Sequence, residues 1–246
     1  MTFMKWAVRV HKWIALIVGL QIVLWIAGGV VMSVIPIEIV RGEHKIAERQ
    51  VGAFDPGEVI SVNEAAARLG ADRVTSAALG EFLGAPVWRI AAENGAMHLV
   101  NAKTGAILSP LGADLARDAA ESGLAIEGAV QRIEQLETPP SEYARSGPVW
   151  RVEFDDRDNT TIYVDPGTGE VTARRSKTWR FYDFFWKLHI MDYDDGADFN
   201  HPLLITAAGA AIFVALSGLI LLIIKVRRSL LVWLNHRKSI KTIVAN

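Results

Sequence analysis

Three of the six histidines stand at the ends of long uncharged segments, where an imidazole could bind a metal. His11 precedes the first segment, and His189 and His201 flank an acidic bend before the second. Imidazole nitrogen is a ligand for zinc, copper, iron and nickel. The chain contains no cysteine, so disulfides and thiolate ligands are excluded, and any metal must be held by His, carboxylate or Met. A histidine at a membrane boundary also occurs without a ligand, and the pattern alone leaves both interpretations open.

The acidic bend, DYDDGAD, offers a second kind of ligand. Carboxylate oxygens are hard ligands that suit ferric iron. The alternative interpretation is a solvated turn that keeps this end of the chain outside a membrane. The carboxylates in question are those of Asp192, Asp194, Asp195 and Asp198.

Two uncharged segments are long enough to cross a lipid bilayer. One has 25 residues between Lys12 and Glu38, and the other has 26 residues between Asp198 and Lys225. As helices they would extend about 37–39 Å, whereas the hydrocarbon core of a bilayer is about 30 Å thick. We therefore predict two transmembrane helices. The first apolar region is too long for a cleaved signal peptide, so an uncleaved anchor is expected.

The charges flanking these segments predict an orientation. The two ends of the chain, residues 1–12 and 225–246, contain nine cations and no acid. Residues 38–200 contain the other 17 cations and all 27 acids. The positive-inside rule then places both termini in the cytoplasm and the acidic middle outside, in the periplasm of a Gram-negative cell. The expected location is the bacterial inner membrane.

Residues 178–191 are predicted to form an amphipathic helix on the outer membrane surface. Arg180, Asp183 and Lys187 fall on one solvated stripe, and His189 lies on the opposite side and points inwards. Near the other boundary, His11 likewise points away from the stripe of neighbouring cations.

The middle of the chain contains a repeat. PVWRIAAENGAMHLVNAKTGAIL begins at Pro86 and PVWRVEFDDRDNTTIYVDPGTGEVT begins at Pro148. Each copy predicts two strands, a Thr-Gly turn and a third strand. Helices are predicted before each copy, including one over AIEGAVQRIEQL before the second. Helices followed by antiparallel strands, twice, indicate α+β layers.

The repeated W-x-V/I…V-[ND]-x-x-T-G-x-[IV] pattern resembles the PepSY domain. VHKWIALIVGLQIVLWIAGGVVM, together with KLH and FNHPLLITAAGAAIFVALSGLILLI, resembles PepSY-associated transmembrane regions. The resemblance covers nearly the whole chain. Membrane proteins of this layout are similar to inner-membrane ferric or ferric-siderophore reductases, some of which carry b-type haem. The family also includes PepSY domains proposed to inhibit peptidases.

The resemblance implies that His11, His189 and His201 are ligands of non-covalent haem b. No C-x-x-C-H motif for covalent attachment is present. An outer haem could take His189 and His201 from one chain or across a dimer, and an inner haem would need His11 and a partner that the sequence does not assign. Two helices can hardly enclose a porphyrin, whereas four could, so a homodimer is expected.

The implied activity is one-electron reduction of ferric iron or a ferric chelate at the periplasmic face, which would support Fe(II) uptake. No G-x-G-x-x-G motif or P-loop is present, so the electron donor is expected to be quinol or a separate flavoprotein. The negative outer domain favours cationic ferric species over anionic siderophores. Membrane lipid is a further expected partner, and nucleic acid is not. The alternative function is a non-enzymatic, membrane-anchored PepSY module that binds or inhibits a periplasmic protein.

The predicted fold class is membrane α+β, with two transmembrane helices flanking a periplasmic tandem PepSY domain of helices and antiparallel sheet. The predicted segments are 1–37 (cytoplasmic N-terminus and first transmembrane helix), 38–113 (first repeat), 114–177 (second repeat), 178–198 (interfacial helix and acidic bend), 199–226 (second transmembrane helix) and 227–246 (basic cytoplasmic tail).

Overall fold

The chain forms two compact units in a computed structural model. One unit combines Met1–Ser33 with Phe185–Asn246, and the other is Val34–Phe184. We call them the helical unit and the sheet unit. The structure describes residues 3–47, 52–125, 128–194, 196–198 and 200–244.

The helical unit contains both predicted membrane-spanning helices. Helix α1 covers Phe3–Val34, and a long C-terminal helix, named α6 below, covers Pro202–Val244. Their segments Val8–Val34 and Pro202–Trp233 are long and apolar enough to cross a membrane. Large apolar side chains cover their outer surfaces, and Ile17 is 73% exposed. Such a surface suits lipid rather than water.

One face of each long helix is partly covered. The less exposed positions of α1 are separated by alternating steps of three and four residues, and α6 follows the same rule. This spacing is the seam of antiparallel helix pairs and coiled coils. We call these faces the α1 seam, which contains His11, Ile14, Val18, Gln21, Trp25 and Gly28, and the α6 seam, which contains Leu204, Ala207, Ala211, Val214, Gly218 and Leu221.

The sheet unit contains two antiparallel sheets, each preceded by a helix. Their strand orders are β1-β2-β3 and β4-β5-β6-β7, so sequential strands are neighbours throughout. This arrangement confirms the predicted α+β class for the middle of the chain. The elements are α2 Ile37–Val40, α3 Val62–Leu69, β1 Val74–Phe82, β2 Ala85–Ala92, β3 Met97–Asn101, α4 Ala113–Ser122, β4 Val130–Leu136, β5 Val149–Phe154, β6 Thr161–Val164, β7 Val171–Arg175 and α5 Lys177–Ile190.

The two tryptophans of the repeat have the same structural role. Trp88 Nε1 donates a hydrogen bond to the carbonyl of Ile60 at 3.0 Å, and Trp150 Nε1 donates to the carbonyl of Leu111 at 2.8 Å. Each carbonyl belongs to the residue two positions before a helix, α3 in the first copy and α4 in the second. The repeat seen in the sequence is therefore a repeat of structure, in which a strand tryptophan anchors the start of the preceding helix.

The Thr-Gly turns also correspond between the copies. The Asn101 side-chain oxygen accepts hydrogen bonds from the backbone N–H groups of Lys103 and Thr104, and Asp165 does the same for Gly167 and Thr168. The third strand is complete only in the second copy, as β7. In the first copy it is reduced to one bridge between Val100 and Ile107.

The helix predicted over AIEGAVQRIEQL is wrong, because Val130–Leu136 forms strand β4. Its apolar residues are three apart, which imitates a helical face. In the structure a β-bulge lies between Val130 and Arg132. A bulge adds a residue and changes which side chains share a face. Val130 and Ile133 consequently pack on the same core, although their spacing would separate them in a regular strand.

The main core joins the two copies. It contains Phe82, Val87 and Leu99 of the first sheet and Val152, Phe154, Ile162 and Val164 of the second, with Leu111, Ala119 and Ala120 between them. The segment before the first sheet is attached to the second by Lys45. Its ammonium group is 3.2 Å from Asp156 and 2.7 Å from Asp158, and the Lys45 side chain is only 12% exposed.

Candidate functional site

His11 on the α1 seam is hydrogen-bonded to α6. Its Nδ1 lies 2.8 Å from the Ser217 hydroxyl oxygen, which itself donates its hydrogen to the carbonyl of Val214 at 3.0 Å. In this arrangement the Ser217 oxygen accepts from His11 Nδ1–H, because a hydroxyl has only one hydrogen. The proton of the neutral imidazole is then on Nδ1, and the lone pair is on Nε2. With the other imidazole tautomer, the hydroxyl would donate to His11 Nδ1 instead.

An apolar groove of about 320 Å³ lies beside the His11 ring. Opposite the ring, α6 carries a glycine: a Cβ atom added at Gly218 would lie 3.8 Å from His11 Cε1. His11 therefore presents an imidazole to a hydrocarbon-lined space. The other residues lining this groove are Trp6, Val10, Phe213, Ser217, Ile220 and Leu221.

His189 lies near the end of α5 and packs against Gly28 of α1. A Cβ added at Gly28 would be 3.4 Å from the Phe185 carbonyl oxygen and 3.6 Å from His189 Cβ, so glycine allows the two helices to approach closely. The Nδ1 atom of His189 is buried and has no hydrogen-bond partner among the described residues. A buried polar atom without a partner is uncommon, so this nitrogen is a candidate ligand atom.

His201 is the residue before α6 and caps its start. Its Nδ1 accepts a hydrogen bond from the backbone N–H of Leu203 at 3.3 Å. A neutral imidazole that accepts at Nδ1 carries its proton on Nε2. Neither nitrogen of this ring then has a free lone pair. His201 would have to give up its hydrogen bond with Leu203 before it could bind iron. Its role as a ligand stays a prediction.

The three histidines lie at two levels of the helical unit. Gly28, which contacts His189, is 17 residues from His11 in α1, a rise of about 25 Å. His201 is 16 residues from Ser217, the partner of His11, a rise of about 24 Å along α6. His201 and His189 are also joined by a bend of only 11 residues. His189 and His201 consequently share one level, and His11 lies at the other.

Two further polar groups occupy the α1 seam between these levels. Gln21 Nε2 and Trp25 Nε1 are buried and have no hydrogen-bond partner in the described part of the chain. Neither residue was predicted from the sequence to have a functional role. Gln21 could have been noticed, because it is the one amide in an uncharged segment of otherwise mostly apolar residues. A polar side chain within a membrane span generally has a functional or packing role.

The acidic bend is organised around Asp192, whose side chain is buried. Its carboxylate accepts hydrogen bonds from the backbone N–H groups of Asp194, Ala197 and Asp198 at 3.0–3.3 Å. Asp195 lies outside the described residues. No group of three His, Asp or Glu side chains suited to a metal occurs among the described residues. The ferric-iron site at this bend stays a prediction, and Asp192 has a structural role as the centre of the bend.

The start of α5 is joined to the second sheet through Arg180. Arg180 Nε donates to one carboxylate oxygen of Glu142 at 2.8 Å, and its Nη2 donates to the other at 3.1 Å and to the Thr161 hydroxyl at 3.0 Å. Tyr163 also donates to Glu142, at 2.8 Å. Arg180 therefore forms a bidentate ion pair with Glu142, and its side chain remains 38% exposed. Its place on a solvated stripe stays a prediction.

This ion pair is reflected in the ionisation of Glu142. Burial acts to raise the pKa of Glu142, but hydrogen bonds from Arg180 and Tyr163 oppose it and hold the pKa below its usual value. Burial and the charge of Glu142 raise the pKa of Tyr163, which keeps the phenol protonated as a donor. The carboxylate therefore stays ionised in the folded protein at neutral pH.

Replacing Glu142 with glutamine should lower the free energy of unfolding by roughly 2–3 kcal/mol at pH 7, because it leaves the half-buried Arg180 without its counter-charge. Since folding lowers the pKa of Glu142, its contribution is present above the unfolded pKa and is lost as the pH falls through the folded pKa. Denaturant titrations at pH 7 and below pH 4 would measure both effects. The control is Glu64→Gln, which removes an exposed pair with Arg68 and should cost less than about 0.5 kcal/mol. Equal effects of the two variants would contradict the prediction.

The profile of one protein family, described as the PepSY-associated TM region, matches residues 8–245. The match includes both long helices and the sheets between them. No curated protein and no solved structure matches the chain significantly.

Proposed function

Because the chain belongs to the PepSY-associated TM region family, we propose that it is a membrane electron-transfer protein that holds haem b and reduces ferric iron at the outer face of the inner membrane. The product Fe(II) would be taken up by a separate importer. The cationic termini and acidic middle support an orientation with both termini in the cytoplasm and the sheet unit in the periplasm.

The observation that carries this proposal is the state of His11. Imidazoles that bind metals usually donate their other ring N–H to an oxygen, which fixes the tautomer and the ring orientation. The Ser217 hydroxyl would be the oxygen that accepts from His11 Nδ1. Nε2 would then be the ligand atom, beside an apolar groove. A histidine that served only as a boundary residue would have no need of this arrangement.

The outer level supplies a second imidazole. His189 has a buried Nδ1 without a partner, beside a glycine that leaves room for close contact. His201 is the second candidate ligand at this level. The distance of about 25 Å between levels means that one protomer cannot bring His11 and His189 to the same iron. We propose separate inner and outer haem sites.

The size of the groove supports a homodimer. Its volume of about 320 Å³ is at the lower end of ligand pockets, which range from about 300 to 1,000 Å³. A macrocycle bound to His11 would therefore need a further wall, which a second copy of α1 and α6 would provide. Such a dimer would also supply the missing second ligand at the inner level, His11 of the other protomer.

Bound haem supplies one-electron chemistry, and the chain's own residues determine where that chemistry can occur. By accepting from His11, the Ser217 hydroxyl would hold the imidazole proton on Nδ1. The apolar side chains of the groove exclude water. The Glu142–Arg180 pair fixes the start of the helix that carries His189. Quinol or a separate flavoprotein would be the electron donor, and the negative outer domain would attract ferric species.

The test is a reduced-minus-oxidised visible spectrum of the full chain, purified in detergent after expression with a haem supply. We expect the sharp bands of bis-His haem b. Reduction of the protein followed by anaerobic addition of a ferric chelate should then reoxidise it and release Fe(II), measured with a ferrous-specific dye. A folded but colourless protein would contradict the proposal. It would favour a membrane-anchored PepSY module that binds a periplasmic partner.

A further inference from the structure

A cleft of about 370 Å³ opens at the junction of the two repeats, entirely within the sheet unit. Phe82 and Arg89 of the first sheet line one side, and Val171 and Arg174 of β7 line the other. Ile46 adds an apolar side chain from the segment before the first sheet. The cleft thus combines cationic groups with an apolar wall, and neither the membrane helices nor the histidines contribute to it.

Arg174 is a half-buried cation with no ion-pair partner among the described residues. Its Nε is buried and has no hydrogen-bond partner, and no carboxylate of the described residues forms an ion pair with it. Burial lowers the pKa of Arg174, and no acidic group opposes this effect. An unpaired, partly desolvated charge is destabilising, so its retention calls for a partner that is supplied from outside.

The other arginine of the cleft shows the contrast. Arg89 Nε lies 3.4 Å from the Glu170 carboxylate, and its Nη2 donates to the carbonyl of Glu81 at 3.2 Å. The Glu81 carboxylate in turn accepts from the backbone N–H of Gly52 at 2.9 Å. Arg89 therefore has an ion-pair partner within the protein, although its Nε, like that of Arg174, has no hydrogen-bond partner among the described residues. Among the described residues that line the cleft, Arg174 is the arginine without an ion pair.

We propose that this cleft binds a monocarboxylate with an apolar body, whose carboxylate pairs with Arg174. Guanidinium groups bind carboxylates through two parallel hydrogen bonds, which gives both affinity and direction. Phe82, Val171 and Ile46 would cover the apolar part of the ligand. The carboxylate of a free acid and that of a peptide C-terminus share this chemistry.

The acids of the cleft limit the charge of the ligand. Glu81 and Glu170 both line it, so a second or third negative charge would meet repulsion. Polyanionic chelators such as citrate should therefore bind worse than a monocarboxylate. This site is independent of the proposed haem sites, and a haem-free protein should retain it.

The experiment measures the thermal unfolding midpoint of the full chain in detergent at constant ionic strength. The probes are hexanoate and acetyl-Ala-Leu, and each is compared with its own amide, which lacks the charge. At about five times its dissociation constant, a carboxylate should raise the midpoint by about 2–4 °C, whereas the amides should not. A response to hexanoate alone would identify free acids as the source, and a response to the peptide would identify a chain terminus.

Variants of Arg174 make the test specific. Arg174→Met should have a midpoint at least as high as the native protein without ligand, because it removes an uncompensated charge. It should weaken carboxylate binding by roughly 10–100-fold. Arg174→Lys keeps the charge but cannot form the two parallel hydrogen bonds of a guanidinium. It should weaken carboxylate binding by less than Arg174→Met does. The control Arg73→Met removes an exposed arginine paired with Glu93 and should leave binding unchanged.

Four results would count against the proposal. The first is an equal response to the acids and their amides, and the second is no response to either acid. The third is a native response in both Arg174 variants. A marked loss of stability in ligand-free Arg174→Met would also count against it, because the arginine would then have a partner within the fold.

Discussion

The His11→Ala variant is expected to lose the inner haem and to keep the outer one. Its reduced-minus-oxidised spectrum should retain b-type bands of lower intensity, and a redox titration should show one component fewer than the native protein. The reason is geometric, because the two levels are about 25 Å apart and the outer ligands cannot replace His11. Pyridine haemochrome analysis per protein chain would measure the loss directly.

The His189→Ala variant should give the complementary loss at the outer level. The variant with both substitutions should be colourless while remaining folded by circular dichroism. His201→Ala separates two roles for this ring. Loss of a haem component would make it the second outer ligand, whereas an unchanged spectrum with a lower unfolding midpoint would make it only the cap of α6. His98→Ala, in strand β3, is the matched control. It should change neither the haem spectrum nor the unfolding midpoint.

Ser217→Ala tests how His11 is prepared for ligation. The substitution removes the oxygen that fixes the Nδ1–H tautomer, and loss of such a partner typically weakens metal binding by about 10–100-fold. It should also shift the midpoint potential of the inner component without affecting the outer one. Ser33→Ala is the control, since its hydroxyl donates only to the carbonyl of Gly29 on an exposed part of α1.

Unchanged haem content in both His11→Ala and His189→Ala would contradict the assignment of ligands. A single component that disappears in either variant would contradict the two-level arrangement. Unchanged haem content would mean that the ligands come from other histidines of the chain or from a partner protein.

The sequence predicted the features that depend on composition and period. The two long helices follow from uncharged segments of 25 and 26 residues, and the repeat follows from Trp88 and Trp150. The turns were predictable because an Asn or Asp side chain shortly before Thr-Gly accepts hydrogen bonds from the backbone N–H groups of the turn itself. These signals are short in range, and single-sequence reasoning recovers them.

Features that depend on tertiary contacts were not predictable. The spacing of Val130 and Ile133 suggested a helix because a β-bulge, which only pairing with β5 produces, was invisible in the sequence. The ion pair between Arg180 and Glu142 was not predictable, because the two residues lie 38 positions apart in the chain. The pairing of His11 with Ser217 spans 206 residues, so the tautomer that supports the proposed function could not be derived from spacing.

The second large effect is expected at Gly169, where alanine should lower the free energy of unfolding by about 2–4 kcal/mol. Two causes add together. The backbone has a φ of 72°, which disfavours any residue with a Cβ. In addition, a Cβ here would lie 2.5 Å from Cε2 of Phe82, a ring that is only 5% exposed in the core joining the two repeats. The ring cannot move without disturbing that core.

The equivalent position of the first repeat provides the control. Gly105 has nearly the same φ, 73°, but an added Cβ would meet only the Arg68 and Ile60 side chains at 3.4 Å and beyond. Gly105→Ala should therefore lower the free energy of unfolding only through the strained backbone conformation, by about 1–2 kcal/mol. Chemical unfolding of both variants, followed by tryptophan fluorescence, measures the difference. Equal decreases in the free energy of unfolding would mean that the Phe82 ring can move aside without cost. The core joining the two repeats would then be less tightly packed than its buried side chains indicate.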